Sequence, residues 1–71
     1  MKLHYYSDTD SLYIELSAGP ASETREVGDG VNVDFSGNGS VIGIDIDHAS
    51  HKLDLATLET EGLPLGRLKA A

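Results

Sequence analysis

The chain has no cysteine and no tryptophan, a single phenylalanine, two prolines, and only 5 Lys+Arg against 12 Asp+Glu. Each shortage excludes something. Without cysteine there is no disulfide, no thiolate nucleophile and no Cys-based zinc signature. The shortage of basic residues leaves a formal charge of -7, which repels phosphate backbones, so direct binding to DNA or RNA is not expected. A small basic protein remains an admissible partner, and long-range attraction would speed that encounter. The same charge also serves solubility. No apolar run approaches the roughly 20 residues that a membrane-spanning helix needs, so no membrane association is expected. Met1-Lys2 leads directly into strand-like sequence with no apolar leader core, and the chain reads as complete and cytoplasmic.

Seventy-one residues make one domain near the lower limit for a self-sufficient core. A chain of this size buries only roughly 60% of its unfolded surface. With so few aromatic rings the core must come from Leu, Ile and Val. A homo-oligomer is therefore the default expectation, since small folds without disulfide or metal commonly rely on a second subunit.

What the sequence does have is strict alternation of apolar and polar side chains. It runs through Leu12-Tyr13-Ile14-Glu15-Leu16, Val31-Asn32-Val33-Asp34-Phe35 and Ile42-Gly43-Ile44-Asp45-Ile46-Asp47. Successive side chains of an extended strand point to opposite faces, so each segment has one apolar and one wet side. The fold class is α+β, mostly β: a small antiparallel meander sheet of four to five strands followed by one short C-terminal helix. Strands are expected at Lys2 to Tyr6, Ser11 to Leu16, Ser22 to Val27, Val31 to Phe35 and Val41 to Asp47. The third is polar and charged, which suits a sheet edge. Gly28-Asp29-Gly30 fits either a tight hairpin or a bulge, and Asn38-Gly39 accepts the positive φ angles of a hairpin turn.

After Asp47 the two-residue period stops. Leu53, Leu55, Leu58, Leu63, Leu65 and Leu68 follow, interrupted by Gly62-Leu63-Pro64. A short helix is expected between Ala49 and Thr60, with Asp54 as a candidate cap. Leu53, Leu55 and Leu58 are core or oligomer candidates, packing on the sheet in cis or on a second subunit. Residues 1–66 read as one compact β-rich domain and 67–71 as a frayed tail.

Candidate chemistry is sparse. Asp45, Asp47, His48 and His51 are weak candidates for a divalent metal, because carboxylate and imidazole suit zinc and related ions. Asp34-Phe35-Ser36-Gly37-Asn38-Gly39-Ser40 resembles the opening of an EF-hand loop, with Asp45 at the twelfth position. Its flanks alternate with period two, whereas that loop needs flanking helices, and a hairpin explains the same residues. Asp8 and Asp10 read as solvated turn formers whose pKa values shift little. No nucleophile elbow, triad context or glycine-rich phosphate loop is present, so no enzyme activity and no cofactor are expected. Tyr13 lies on the wetter face, either as an interface anchor or paired across strands with Tyr6 or His4.

Two blocks carry a family resemblance. Asp10, Leu12, Tyr13 and Ile14 form the first, although Tyr6 stands where Asp is common. The second comprises Thr24-Arg25-Glu26-Val27, Asp29-Gly30-Val31, Val33-Asp34, Gly39 and Gly43-Ile44-Asp45-Ile46; here Asp45 replaces a more usual Glu and His48 a frequent Asp. In these blocks the chain resembles domain-of-unknown-function family 2283, small uncharacterised prokaryotic proteins. The resemblance implies a compact stand-alone domain without an assigned enzyme activity and with no catalytic residues to carry over. Some members lie beside genes for small ribonuclease-type toxins, which implies an antitoxin-like role.

The resulting expectation is a small, acidic, non-enzymatic interaction domain. Tyr13, Glu15, Asp34 and Asp45 are its partner-binding candidates, and a basic ribonuclease-type toxin is the concrete partner. The alternatives are a metal-binding or metal-assisted hydrolytic protein built on Asp45, Asp47, His48 and His51, and a purely structural homo-oligomer.

Overall fold

The computed structural model describes residues 1–70. Strands β1 (Lys2–Tyr6), β2 (Ser11–Glu15), β3 (Glu23–Gly28), β4 (Val31–Phe35) and β5 (Val41–Ile46) precede one helical turn, α1 (Ala49–Lys52). The fold is a five-stranded antiparallel sheet with one short helix on its C-terminal side, mostly β. Strand order is β1-β2-β5-β4-β3. A β1-β2 hairpin and a β3-β4-β5 meander are thus joined edge to edge by pairing of β2 with β5, in the register Leu12↔Ile46 and Ile14↔Ile44.

The registers put like with like. Leu3 faces Ile14 and Tyr5 faces Leu12, while Val31 faces Ile46 and Val33 faces Ile44. Directly opposed residues share a face, so the alternation seen in the sequence becomes one continuous apolar surface. Arg25 of β3 lies on that same surface opposite Val33. Its guanidinium sits 4.1 Å from the Phe35 ring centroid and pairs with Glu23 at 2.6 Å.

Two bulges shape the sheet. Gly28 and Val31 are paired, so Asp29-Gly30 is a two-residue turn, with φ 69° at Gly30. The register nevertheless shifts between Glu26 and Gly28, which leaves Val27 as an extra, exposed residue. The glycine-rich stretch is therefore both a hairpin and a bulge. The second shift lies between Asp34 and Phe35. There the extra residue is Ile42 of β5, whose carbonyl accepts from the Leu16 amide at 2.9 Å and the Ser17 amide at 3.3 Å.

At one end of the sheet Asp10 ties three segments together. Its carbonyl accepts the Ala49 amide at 2.8 Å. Its carboxylate accepts the Ser50 amide at 3.1 Å, the Ser50 hydroxyl at 2.7 Å and the Tyr5 hydroxyl at 2.8 Å. Asp10 thus caps a helix forty residues away, while the N-cap residue His48 supplies no side-chain bond of its own. Asp10 and His48 both have φ near +50° (53° and 52°), a region that Asp and His enter more readily than most side chains. At the other end of α1, Lys52 Nζ donates to the Asp29 carbonyl at 2.7 Å. The helix so bridges two hairpin turns.

The expected helix is present but stops at Lys52. Asp54 caps nothing; its carboxylate accepts the Ala56 amide at 3.0 Å in an Asx turn. Beyond Lys52 the described residues form neither helix nor strand. Leu53, Leu55 and Leu58 are exposed rather than buried against the sheet, so they form no core within the chain. Ile42 and Ala49 are the only buried apolar residues among the described ones. No helix among the described residues is long and apolar enough to cross a membrane.

The Ser50 and Tyr5 bonds hold the Asp10 carboxyl below the usual carboxylate pKa. A depressed folded-state pKa contributes stability that is present above the unfolded value of about 3.9 and is lost as pH falls through the folded value. Asp10→Asn should therefore lower the urea midpoint at about pH 7, and the gap to the parent chain should shrink at about pH 3. Paired denaturation curves at the two pH values check this.

Candidate functional site

The wet face of the sheet holds the residues singled out by sequence. Tyr13 of β2 faces His4 on one side and Asp45 of β5 on the other. Asp45 in turn faces Asn32 of β4, and Thr24 of β3 faces Asp34. One strand-to-strand contact skips a neighbour. The Tyr13 ring passes across β5 and its hydroxyl donates to Asp34 Oδ2 on β4 at 2.8 Å. Gly43 makes this passage possible: a Cβ there would fall inside the Tyr13 hydroxyl. Thr24 Oγ1 donates to Asp34 Oδ1 at 2.5 Å. The line Tyr13–Asp34–Thr24 therefore links β2 to β4 and β3 over the surface of β5.

Electrostatics on this face are one-sided. The Tyr13 hydroxyl is pushed above its ordinary pKa, first by donation to Asp34, then by burial and by the charges of Asp34, Glu15 and Asp45. The Asp45 carboxyl is also pushed up, first by burial and then by Asp47 and Asp34. Among the described residues the one ion pair is Arg25–Glu23, and it lies on the other face. Tyr6, Thr9, Ser11, Tyr13 and Asp45 line an open depression of about 480 Å³ beside this group. Small-molecule sites enclose most of their ligand; this depression is open to solvent and fits an extended surface better.

The structure brings Tyr13, Asp34 and Asp45 together, with Glu15 close enough to act on Tyr13. It does not assemble the metal candidates. His48 and His51 have ring centroids 6.3 Å apart, and among the described residues no three His, Asp or Glu side chains converge as a ligand set. The EF-hand-like stretch is a closed hairpin turn. Gly39 donates to the Ser36 carbonyl at 2.9 Å, Ser36 donates to the Ser40 carbonyl at 2.9 Å, and Asn38 Oδ1 takes the Ser40 amide at 3.1 Å and the Ser36 hydroxyl.

Comparison with known proteins adds the lineage. The sequence model of a protein of unknown function, DUF2283, matches residues 2–50. The chain belongs to this family. No curated protein and no solved structure matches it. The matched stretch of the DUF2283 chain covers all five strands and the first residues of α1, so it includes both the Tyr13–Asp34–Thr24 line and the Asp10–Ser50 tie.

Sequence reasoning missed three of these DUF2283 residues. Thr24 falls within a family block, but one position in a polar strand carries no signal of its bond to Asp34. Gly43 does: a lone glycine inside a strand often marks a close approach from a neighbour. Asp10 was expected to be solvated with little pKa change, and the structure corrects this, since its carboxylate is taken up by Tyr5 and Ser50. Its long-range partner was invisible before the fold was known.

Two expectations follow. Gly43→Ala should displace the Tyr13 ring and cost about 1–3 kcal/mol by overpacking. Tyr13→Phe, which removes only the hydrogen bond, should cost about 0.5–1.5 kcal/mol. The pair should be less than additive, because both act on one contact; urea denaturation of the single and double variants reads this. For Asp45 the sign is opposite to Asp10. A raised folded pKa means stability present below the unfolded value and lost as pH rises through the folded one. Asp45→Asn should therefore raise the urea midpoint at about pH 7 and leave it nearly unchanged at about pH 3.

Proposed function

We propose that this protein is a non-enzymatic binding module whose wet face receives a basic protein surface, in its concrete form an antitoxin-like binder of a small ribonuclease-type toxin. The observation that carries this reading is Asp45. Burial and the neighbouring Asp47 and Asp34 disfavour its charge, and its own chain sets no cation against it among the described ion pairs. A lysine or arginine from a partner would relieve that repulsion, so binding and charge relief are coupled. Glu15 and Asp34 extend the negative surface, and the Tyr13 ring, held by Asp34, offers a rigid aromatic anchor of the type favoured at interfaces.

Charge complementarity acts first on the encounter rate. Reversing charge on this face, as in Glu15→Lys with Asp45→Lys, should slow association about tenfold or more at low salt and change dissociation less. The test is capture from the native cytoplasm at low and high salt, followed by a ribonuclease assay on what is recovered. Recovery of a small basic protein whose ribonuclease activity the parent chain suppresses, and the charge-reversed variant does not, supports the proposal. Capture that ignores both salt and charge reversal overturns it.

A further inference from the structure

The apolar face of the sheet is uncovered in the single chain. Leu3 is 46% and Val41 43% exposed at its margins, and even the central strands β2 and β4 are only half-buried throughout. An amphipathic sheet is stable when that face is buried against another layer. Here α1 is one turn long, and the leucines that follow it are themselves exposed.

The surplus area measures what is missing. The chain exposes 5558 Å². A compact monomer of its 7.5 kDa mass would expose about 4,200 Å². The difference, roughly 1,300 Å², is shared by the open face and the exposed residues 53–70; covering both together would bury an area of the order that each partner of an obligate dimer contributes. The radius of gyration, 13.1 Å against about 11 Å for a compact chain of this length, likewise reflects the open face and residues 53–70 together.

Charge decides what covers the face. With a formal charge of -7, two copies repel unless they meet where the local charge cancels. On the wet face Glu15, Glu26, Asp34 and Asp45 stand against Lys2. On the apolar face the charged groups are Arg25 and Glu23, already paired at the rim over Phe35. A two-fold contact presents the same patch from both sides, and this patch is apolar, neutral and fringed by one charge of each sign.

We propose that a second copy of this chain covers the apolar face, sheet against sheet, with the leucines of residues 53–68 sealing the margins of the pair. The wet face then points outward from both sides of the assembly. This inference does not depend on the binding role of the wet face.

The test is sedimentation equilibrium of the full chain, with isotope-filtered NMR on a mixture of labelled and unlabelled parent chain. The expected result is twice the single-chain mass at micromolar concentration, with contacts between copies from the Val33 and Ile44 methyl groups. Leu3→Glu, on an edge strand that tolerates a charge, should raise the dissociation constant at least about tenfold. Arg25→Glu should weaken the dimer as well, and the swap Glu23→Arg with Arg25→Glu should restore it. A single-chain mass at the highest soluble concentration overturns the proposal and means that the tail folds back on its own sheet. A doubled mass that Glu15→Lys dissolves and Leu3→Glu does not also overturns it, because the copies then meet through the wet face.

Discussion

Pairing of β2 with β5 is the constraint on which this architecture depends. Each half of the sheet forms from local contacts: a hairpin from the first sixteen residues or so, and a three-strand meander from the middle of the chain. Neither half alone has a continuous apolar surface of useful size, and an isolated hairpin is marginal in water. The Leu12↔Ile46 and Ile14↔Ile44 register merges the two surfaces. A slip of one residue would turn every side chain of β2 to the wrong face. The same register puts Tyr13 opposite Asp45 and lets its ring reach Asp34 across Gly43.

Two chemically distinct faces result. The apolar face carries Leu3, Ile14, Ile44, Val33 and Phe35 with a neutral charged pair at its rim. The wet face concentrates carboxylates that disfavour one another, most clearly at Asp45. Asp10 shows the contrast within one residue type. Its carboxylate is satisfied by Ser50 and Tyr5 and held low in pKa, so it stabilises the fold, whereas Asp45 loosens it.

Much of the sheet was legible in the sequence because its signal is local. Period-two alternation located β2, β4 and β5, and turn residues set off β1 and the polar β3; β1 and β4 lie at the expected boundaries and the others differ by one residue. Family membership was also readable from the blocks around Asp10 and Asp45. Strand order was less accessible, since nothing in β2 names β5 as its neighbour. The Tyr13–Asp34–Thr24 line inherits that difficulty, because it exists only once three inter-strand registers are fixed. The C-terminal leucines misled in a different way. Their density suggested a cover for the sheet or for a second subunit, but their spacing follows no helical face, Gly62 and Pro64 interrupt it, and within the chain the leucines stay exposed.

Val27 sets the manner in which such sheets can grow. A regular outer strand offers its free amides and carbonyls as a template for another chain, which is how ribbons and fibrils extend. The extra residue at Val27 breaks that template near the turn end of β3 and twists the edge. Arg25 and Glu23 add charge on the side that an incoming strand would have to pass. At the opposite border β1 matches its neighbour β2 at five residues and shows no register shift. The β3 border is therefore a poor template for strand addition, and a chain seeking to extend the sheet meets its regular ladder only along β1.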